Sequence, residues 1–178
     1  AFSFNSTYAL RLGATNTQIG WLSSIPSLLV MIVLVPAARF LETKSDRGPW
    51  LNWSLIVGRA AFIGAAVAPW VLPNQAAQIV IADLIARAIP MHFYSAGFSP
   101  MLADVIPPRD RALVLANRST ISSATVAIFT YLFGQWMDAA ANIPWAGFPV
   151  NYQIVYIIGA IAGVVSGYFV SRIKVPQT

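Results

Sequence analysis

The sequence contains no cysteine and a single histidine, and only 10% of its 178 residues are charged. Without cysteine there is no disulfide, no thiolate metal site and no thiol nucleophile. The one histidine, His92, has no second imidazole to share a metal with; its default role is that of a buried, hydrogen-bonded side chain. A soluble domain carries about 25% ionic residues, far more than this chain has. Also missing are a Ser/His/Asp order, an HExxH pair, a GxGxxG turn and a phosphate loop. Nothing therefore points to an enzyme, and no cofactor or metal is called for. The chain opens without a basic n-region or a small-residue cleavage site.

What the chain has in place of charge is apolar surface: 57% of its residues are hydrophobic and the mean hydropathy is +0.66. Such a composition fits lipid as the solvent. The apolar runs are unbroken and far longer than the roughly 10-residue strands of a membrane barrel. An all-α, polytopic transmembrane helical bundle is the backbone solution that remains. The expected spans are 17–40, 50–72, 76–102, 112–137 and 152–170, with 1–10 as the outer end of a first helix. AFSFNSTYAL reads as the tail of a helix that starts before Ala1, and SRIKVPQT as the start of a polar loop. The chain is expected to be one bundle cut from a longer protein.

Placement of the cations sets the orientation. If loops alternate sides, Arg39, Lys44, Arg47, Arg109, Arg111, Arg118, Arg172 and Lys174 share one side, Arg11 stands alone on the other, and Arg59 and Arg87 lie within spans. By the positive-inside rule loops 41–49 and 103–118 are expected to be cytoplasmic, in a plasma (inner) membrane. The net charge of +5 is then spent on topology and anionic lipid, which leaves no basic face for nucleic acid. Trp50 and Trp53 are expected at the inner interface, and Trp70, Trp136, Trp145 and Tyr152 at the outer one.

The stretch 76–102 is the one that bears on function. Asp83 and Arg87 share a helix face by their i, i+4 spacing, in a span where ionisable groups are costly. Pro90, Tyr94 and Met101 continue that face, while His92 points roughly 140° away from Arg87. Asp83, Arg87 and Tyr94 are thus candidate substrate and coupling residues. Arg87 would take an anionic or polar group, Tyr94 would add a hydrogen bond, and Asp83 would hold Arg87 or carry a proton. The structural alternative is an Asp83–Arg87 ion pair that only fixes packing. Pro90 removes a backbone donor and predicts a bend. Arg59 is open between snorkelling toward the inner interface and a cavity or gate role. Gly97 and Pro100 fit either a break like that at Pro90 or close packing, and for the small residues Gly20, Ser24 and Ser27, and Ser119, Ser122, Ser123 and Thr125, close helix packing is the default expectation.

Loop layout adds a resemblance. A short outer loop (LGATNTQIGWLSS) precedes the second span. One charged inner loop (ARFLETKSDRGPWL) joins the second and third, and another (ADVIPPRDRALVLANRSTISS) joins the fourth and fifth. Together they resemble the N-terminal six-helix half of major facilitator superfamily transporters. In the first charged loop Ala38 and Glu42 stand at the glycine and first acidic positions of the family motif, with Lys44 and Arg47 as its basic residues. Arg87 matches the arginine of the family's fourth-helix Arg-x-x-Gln-Gly, with Pro90 and Met91 in place of Gln-Gly. The Gly-x-x-x-Gly-Pro motif of drug/proton antiporters is absent.

The resemblance implies two inverted three-helix repeats. Its first, second, fourth and fifth helices would line a central cavity, with the third and sixth outside. That turns Arg87 and Asp83 toward cargo and leaves Arg59 in a structural position. It also implies a secondary active transporter that moves a small solute by alternating access against a C-terminal half of the same chain. Glu42, Asp46, Arg47, Arg109 and Arg111 would form inner salt bridges that break and remake. Proton or ion coupling stays open. The expected partners are the lipid bilayer and a small-molecule substrate. The alternative function is a non-transporting scaffold or receptor subunit built on the same bundle.

Overall fold

A computed structural model of the chain describes residues 2–44 and 46–172; Lys174 of the charge pattern lies outside them. The described residues form helices α1 (Phe2–Arg11), α2 (Asn16–Glu42), α3 (Gly48–Val71), α4 (Ala76–Ala86), α5 (Ala88–Val105), α6 (Pro108–Ala140) and α7 (Val150–Ser171), and no strand. A 3-10 turn, Pro73–Gln75, joins α3 to α4. Among the described residues 5 stretches are long and apolar enough to cross a membrane, with α4 and α5 together making one. The chain is a multi-pass membrane protein with an all-α bundle.

Local chemistry explains where the helices start and break. Thr15 caps α2 through a capping box: its Oγ1 accepts from the Gln18 N–H, and Gln18 Oε1 accepts from the Thr15 N–H at 2.9 Å. Prolines open α3 and α6, where a missing donor costs nothing. The fourth span is interrupted because Pro90 has no N–H and its ring crowds the carbonyl four residues back, that of Ala86. Hence α4 ends at Ala86, α5 begins at Ala88, and Arg87 sits at the joint.

Helix α3 is the hub. Against it α7 presents Gly159, Gly163 and Gly167, every fourth residue and so on one face. A methyl group at Gly163 would lie 2.5 Å from Arg59 Cγ, one at Gly159 3.4 Å from the Phe62 ring, and one at Gly167 3.1 Å from Asn52 Oδ1. On its other flank α3 runs antiparallel to α4 and α5, with Gly64 opposite Asp83, Gly58 opposite Pro90 and Met91, and Leu51 opposite Gly97. A methyl at Gly97 would meet Leu41 Cδ1 at 2.5 Å and Leu51 Cδ2 at 2.7 Å. In lipid, apolar helices gain little by leaving the solvent, so close approach through small residues carries their association. The Gly20–Ser27 stripe does not take part: Ser24 and Ser27 are exposed and donate to Gly20 and Ser23 carbonyls of their own helix.

The bundle has two cores. At the charged end, where Arg47 approaches Asp104 of α5, Leu41, Leu51 and Met101 pack with Phe93, Tyr94 and Phe98. At the opposite end Tyr8, Ala65, Val80, Ile81, Tyr152 and Tyr156 belong to a larger cluster. Tyr8 stacks on Tyr152 with ring centroids 5.0 Å apart, and its hydroxyl donates to the Ala65 carbonyl. Tyr152 is only 4% exposed, so it is a core residue and not the interface anchor its position suggested. Trp136 is half-buried and donates from Nε1 to the Asn151 carbonyl, whereas Trp70 and Trp145 stand exposed. Helix α6 buries Ala140 alone among its residues.

Candidate functional site

The joint at Arg87 lies between two cavities. The first, of about 230 Å³, is bounded by Phe4 and Asn5 of α1, Arg59 and Phe62 of α3, Val126, Phe129, Thr130 and Phe133 of α6, and Tyr152, Val155, Tyr156 and Gly159 of α7. The second, of about 240 Å³, lies between α2 and the fourth span and is lined by Leu22, Pro26, Leu84, Ala88, Met91 and His92. Arg87 and Asn5 belong to both walls and so form the partition. Leu84, Arg87, Ala88, Met91 and His92 make an i, i+3, i+4, i+7, i+8 stripe. Arg87 and His92 occupy its two edges, which is how residues roughly 140° apart on a helix line one cavity. His92 is also tied down: Nε2 donates to the Pro26 carbonyl at 3.2 Å, since a carbonyl can only accept.

The two arginines share one aromatic ring. The Arg87 guanidinium carbon lies 4.3 Å from the Phe62 ring centroid, and that of Arg59 lies 5.9 Å from it. Among the described residues neither arginine makes a hydrogen bond or an ion pair, and the Nε of each is buried without a partner. Cation–π attraction contributes about 0.5–2 kcal/mol. It leaves the five N–H donors of each guanidinium without acceptors. Around them the wall is closed by Tyr156, whose hydroxyl donates to Asn5 Oδ1 at 2.9 Å. Among the described residues no acidic side chain lines either cavity.

Asp83 does not take the place its spacing suggested. It shares with Pro90 and Gly97 a seven-residue stripe, and that stripe meets α3. Its carboxylate packs on Gly64, where a methyl group would lie 2.9 Å from Oδ1, and Oδ2 is buried with no hydrogen-bond partner. Asp83 and Arg87 form no ion pair, so the purely structural pairing is absent along with the holding role. Tyr94 is also apart from Arg87. It stacks on Phe98 at 4.9 Å within the core of the charged end, about two helical turns away. Arg59 joins Arg87 in their stead. Its guanidinium leans over Phe62, one turn further from the charged end, which is the reverse of snorkelling toward that end. The third span therefore lines the first cavity, where a peripheral position was expected.

At the charged end the expected gate residues divide. Arg47 reaches across to the end of α5, with Nη1 3.8 Å from Asp104 Oδ2, and its Nε donates to the Leu41 carbonyl. Arg111 donates to the Ala103 carbonyl, and Arg109 pairs with its neighbour Asp110 at 3.2 Å. Asp46 accepts from the Gly48 N–H at the start of α3. Glu42 is exposed and forms no ion pair among the described residues. The link between the loops thus runs through Asp104, which sequence reasoning did not single out. Its signal was available, because Asp104 and Asp110 are the only acids in ADVIPPRDR. Set against family models, curated proteins and solved structures, the chain matches none of them.

Proposed function

We propose that this bundle is half of a secondary active transporter that moves a small solute by alternating access, with the Arg59–Arg87 cavity as part of the solute path. The observation that carries this reading is two unpaired cations beside a cavity in the middle of the bundle. Arg59 stands near the centre of α3 and Arg87 at the break in the fourth span. Ionisable groups at such depth mark solute or ion pathways, and interrupted helices accompany midplane sites in transporters. The exposed α6 is a second support. It carries Ser119, Ser122 and Ser123 exposed, polar groups suited to a wet cleft or a second bundle. Resemblance to the N-terminal half of major facilitator superfamily transporters supplies that second bundle as the C-terminal half of the same chain. Arg47 and Asp104 would then join the loops in one of two states, with the charged end facing the cytoplasm.

The test is uptake by the full-length protein in proteoliposomes, screened with radiolabelled amino acids, sugars, nucleosides and organic acids. At least one solute should accumulate, and Arg87→Ala should abolish its uptake while the protein still inserts and elutes as a single species. Normal uptake by that variant removes Arg87 from the path. No flux of any solute, together with a partner protein that co-purifies, favours the scaffold or receptor subunit instead.

A further inference from the structure

We infer that the first cavity is a binding site for a small organic monoanion, an oxyanion on a compact apolar body, gripped by Arg59 and Arg87 together. This rests on the reading of that cavity as the solute site and adds the chemistry of the solute. The charge argument comes first. Two guanidinium groups face the cavity without an acceptor, and the acid one turn from Arg87, Asp83, is turned onto Gly64. Counting that acid as ionised, the group keeps one uncompensated positive charge, which a monoanion cancels and a dianion overshoots. A neutral solute would leave the buried Nε–H of Arg59 and of Arg87 without an acceptor, and sites built for a polar partner reject the analogue that lacks it.

The walls give the rest of the molecule. Phe4, Val126, Phe129, Phe133 and Val155 offer apolar surface, and an inorganic anion would leave all of it unused. Asn5 Oδ1 and the Tyr156 hydroxyl are already bonded to each other, so the arginines are the charged anchors, with Thr130 and the Asn5 amide nitrogen as neutral polar groups in the same wall. A volume of about 230 Å³ falls below the roughly 300–1,000 Å³ of sites for drug-sized ligands. One ring with a carboxylate is the right scale. Phe62 lies beside both guanidinium groups, 4.3 Å from that of Arg87 and 5.9 Å from that of Arg59, and so brings the two cations to one ring before the carboxylate arrives. Such an oxyanion could arrive dissolved in water, as an aromatic carboxylate, or from the bilayer, as a fatty acid.

The experiment measures equilibrium binding of radiolabelled benzoate and of decanoate to the full-length protein in phosphatidylcholine nanodiscs, with benzyl alcohol as the neutral control. Saturable benzoate binding that benzyl alcohol does not displace supports the site and a dissolved solute. Saturable decanoate binding that benzoate fails to displace supports the site with the bilayer as source. Arg59→Gln and Arg87→Gln should each weaken the anion that binds by about tenfold or more, the usual effect of losing a charge-assisted hydrogen bond. The inference is overturned if neither anion saturates, if benzyl alcohol competes as well as benzoate, or if both variants bind like the parent protein. Should a variant fail to fold, the contrast between anion and alcohol on the parent protein still decides. Benzoate binding without flux leaves the site standing and removes the transport reading. Flux of another solute with no anion binding does the reverse.

Discussion

Arg47, Arg109 and Arg111 each find an oxygen atom, whereas among the described residues Arg59 and Arg87 find only the ring of Phe62. The first group stands at the charged end, in or beside loops, where water and main-chain carbonyls are close at hand. The second stands mid-bundle, where desolvation is expensive and the Phe62 ring offsets only part of it. A bundle shaped by stability alone would have removed these two cations or turned Asp83 onto them. Instead Asp83 packs on Gly64 while the two guanidinium groups share one ring. The difference separates cations that are part of the fold from cations that the fold merely tolerates.

That contrast breaks most directly through substitution to an apolar side chain of similar length. Arg87→Met removes an unpartnered cation and keeps most of the volume. It should raise the stability of the purified protein by about 1–4 kcal/mol, the range seen when buried ionic groups give way to hydrophobic ones. A gain in stability with a loss of uptake is the signature of a strained functional group. Arg47→Met at the charged end should give no such gain. Thermal unfolding in detergent reads both, and a lower Tm for Arg87→Met would place Arg87 among the structural cations.

A smaller effect tests how Arg59 is held in place. The side chain of Arg59 lies over Gly163, where a methyl group would come within 2.5 Å of its Cγ. Gly163→Ala should therefore cost about 1–3 kcal/mol by overpacking and displace Arg59 from the cavity. Gly134→Ala on α6 meets nothing within 4 Å and should gain up to about 1 kcal/mol of helix propensity. Equal effects of the two substitutions on Tm would mean that the α3–α7 contact is loose and that Arg59 is free to leave the cavity.

Much of the architecture could be read from the chain, because apolar runs and charged loops report on lipid directly. The break in the fourth span was also legible, since Pro90 must disturb the carbonyl of Ala86. The partners of Arg87 were less so. Spacing along one helix placed Asp83 and Tyr94 beside it, yet the neighbouring helices decide which face is used. Asp83 belongs to the stripe that meets α3, and Tyr94 lies two turns away in another core. Arg59 could have been paired with Arg87 by depth, as both sit near the middle of their spans. The repeat Gly159, Gly163, Gly167 was a readable signal for the α3–α7 contact, and it is what lets Arg59 lie flat against α7. Tyr152 shows the opposite case: an aromatic residue at a helix start suggests an interface anchor, and only the stack with Tyr8 makes it core.

The smallest expected effect concerns the loops. Arg47 and Asp104 approach to 3.8 Å with side chains 29% and 56% exposed. Exposed pairs of this kind couple by about 0.2–1 kcal/mol. Charges in water are screened over about 8 Å at physiological salt, so the coupling should fade as salt is raised. A double-mutant cycle with Arg47→Gln and Asp104→Asn, read by thermal unfolding at low and high salt, measures it. A weak coupling suits the proposed alternating access, in which this contact would open and close, since a strong one would trap the bundle in one state. Coupling above about 2 kcal/mol that survives salt would mean a desolvated pair. The charged end would then hold its cations as tightly as the interior denies partners to Arg59 and Arg87, and the loops would be a fixed strut, with motion confined to the other end of the bundle.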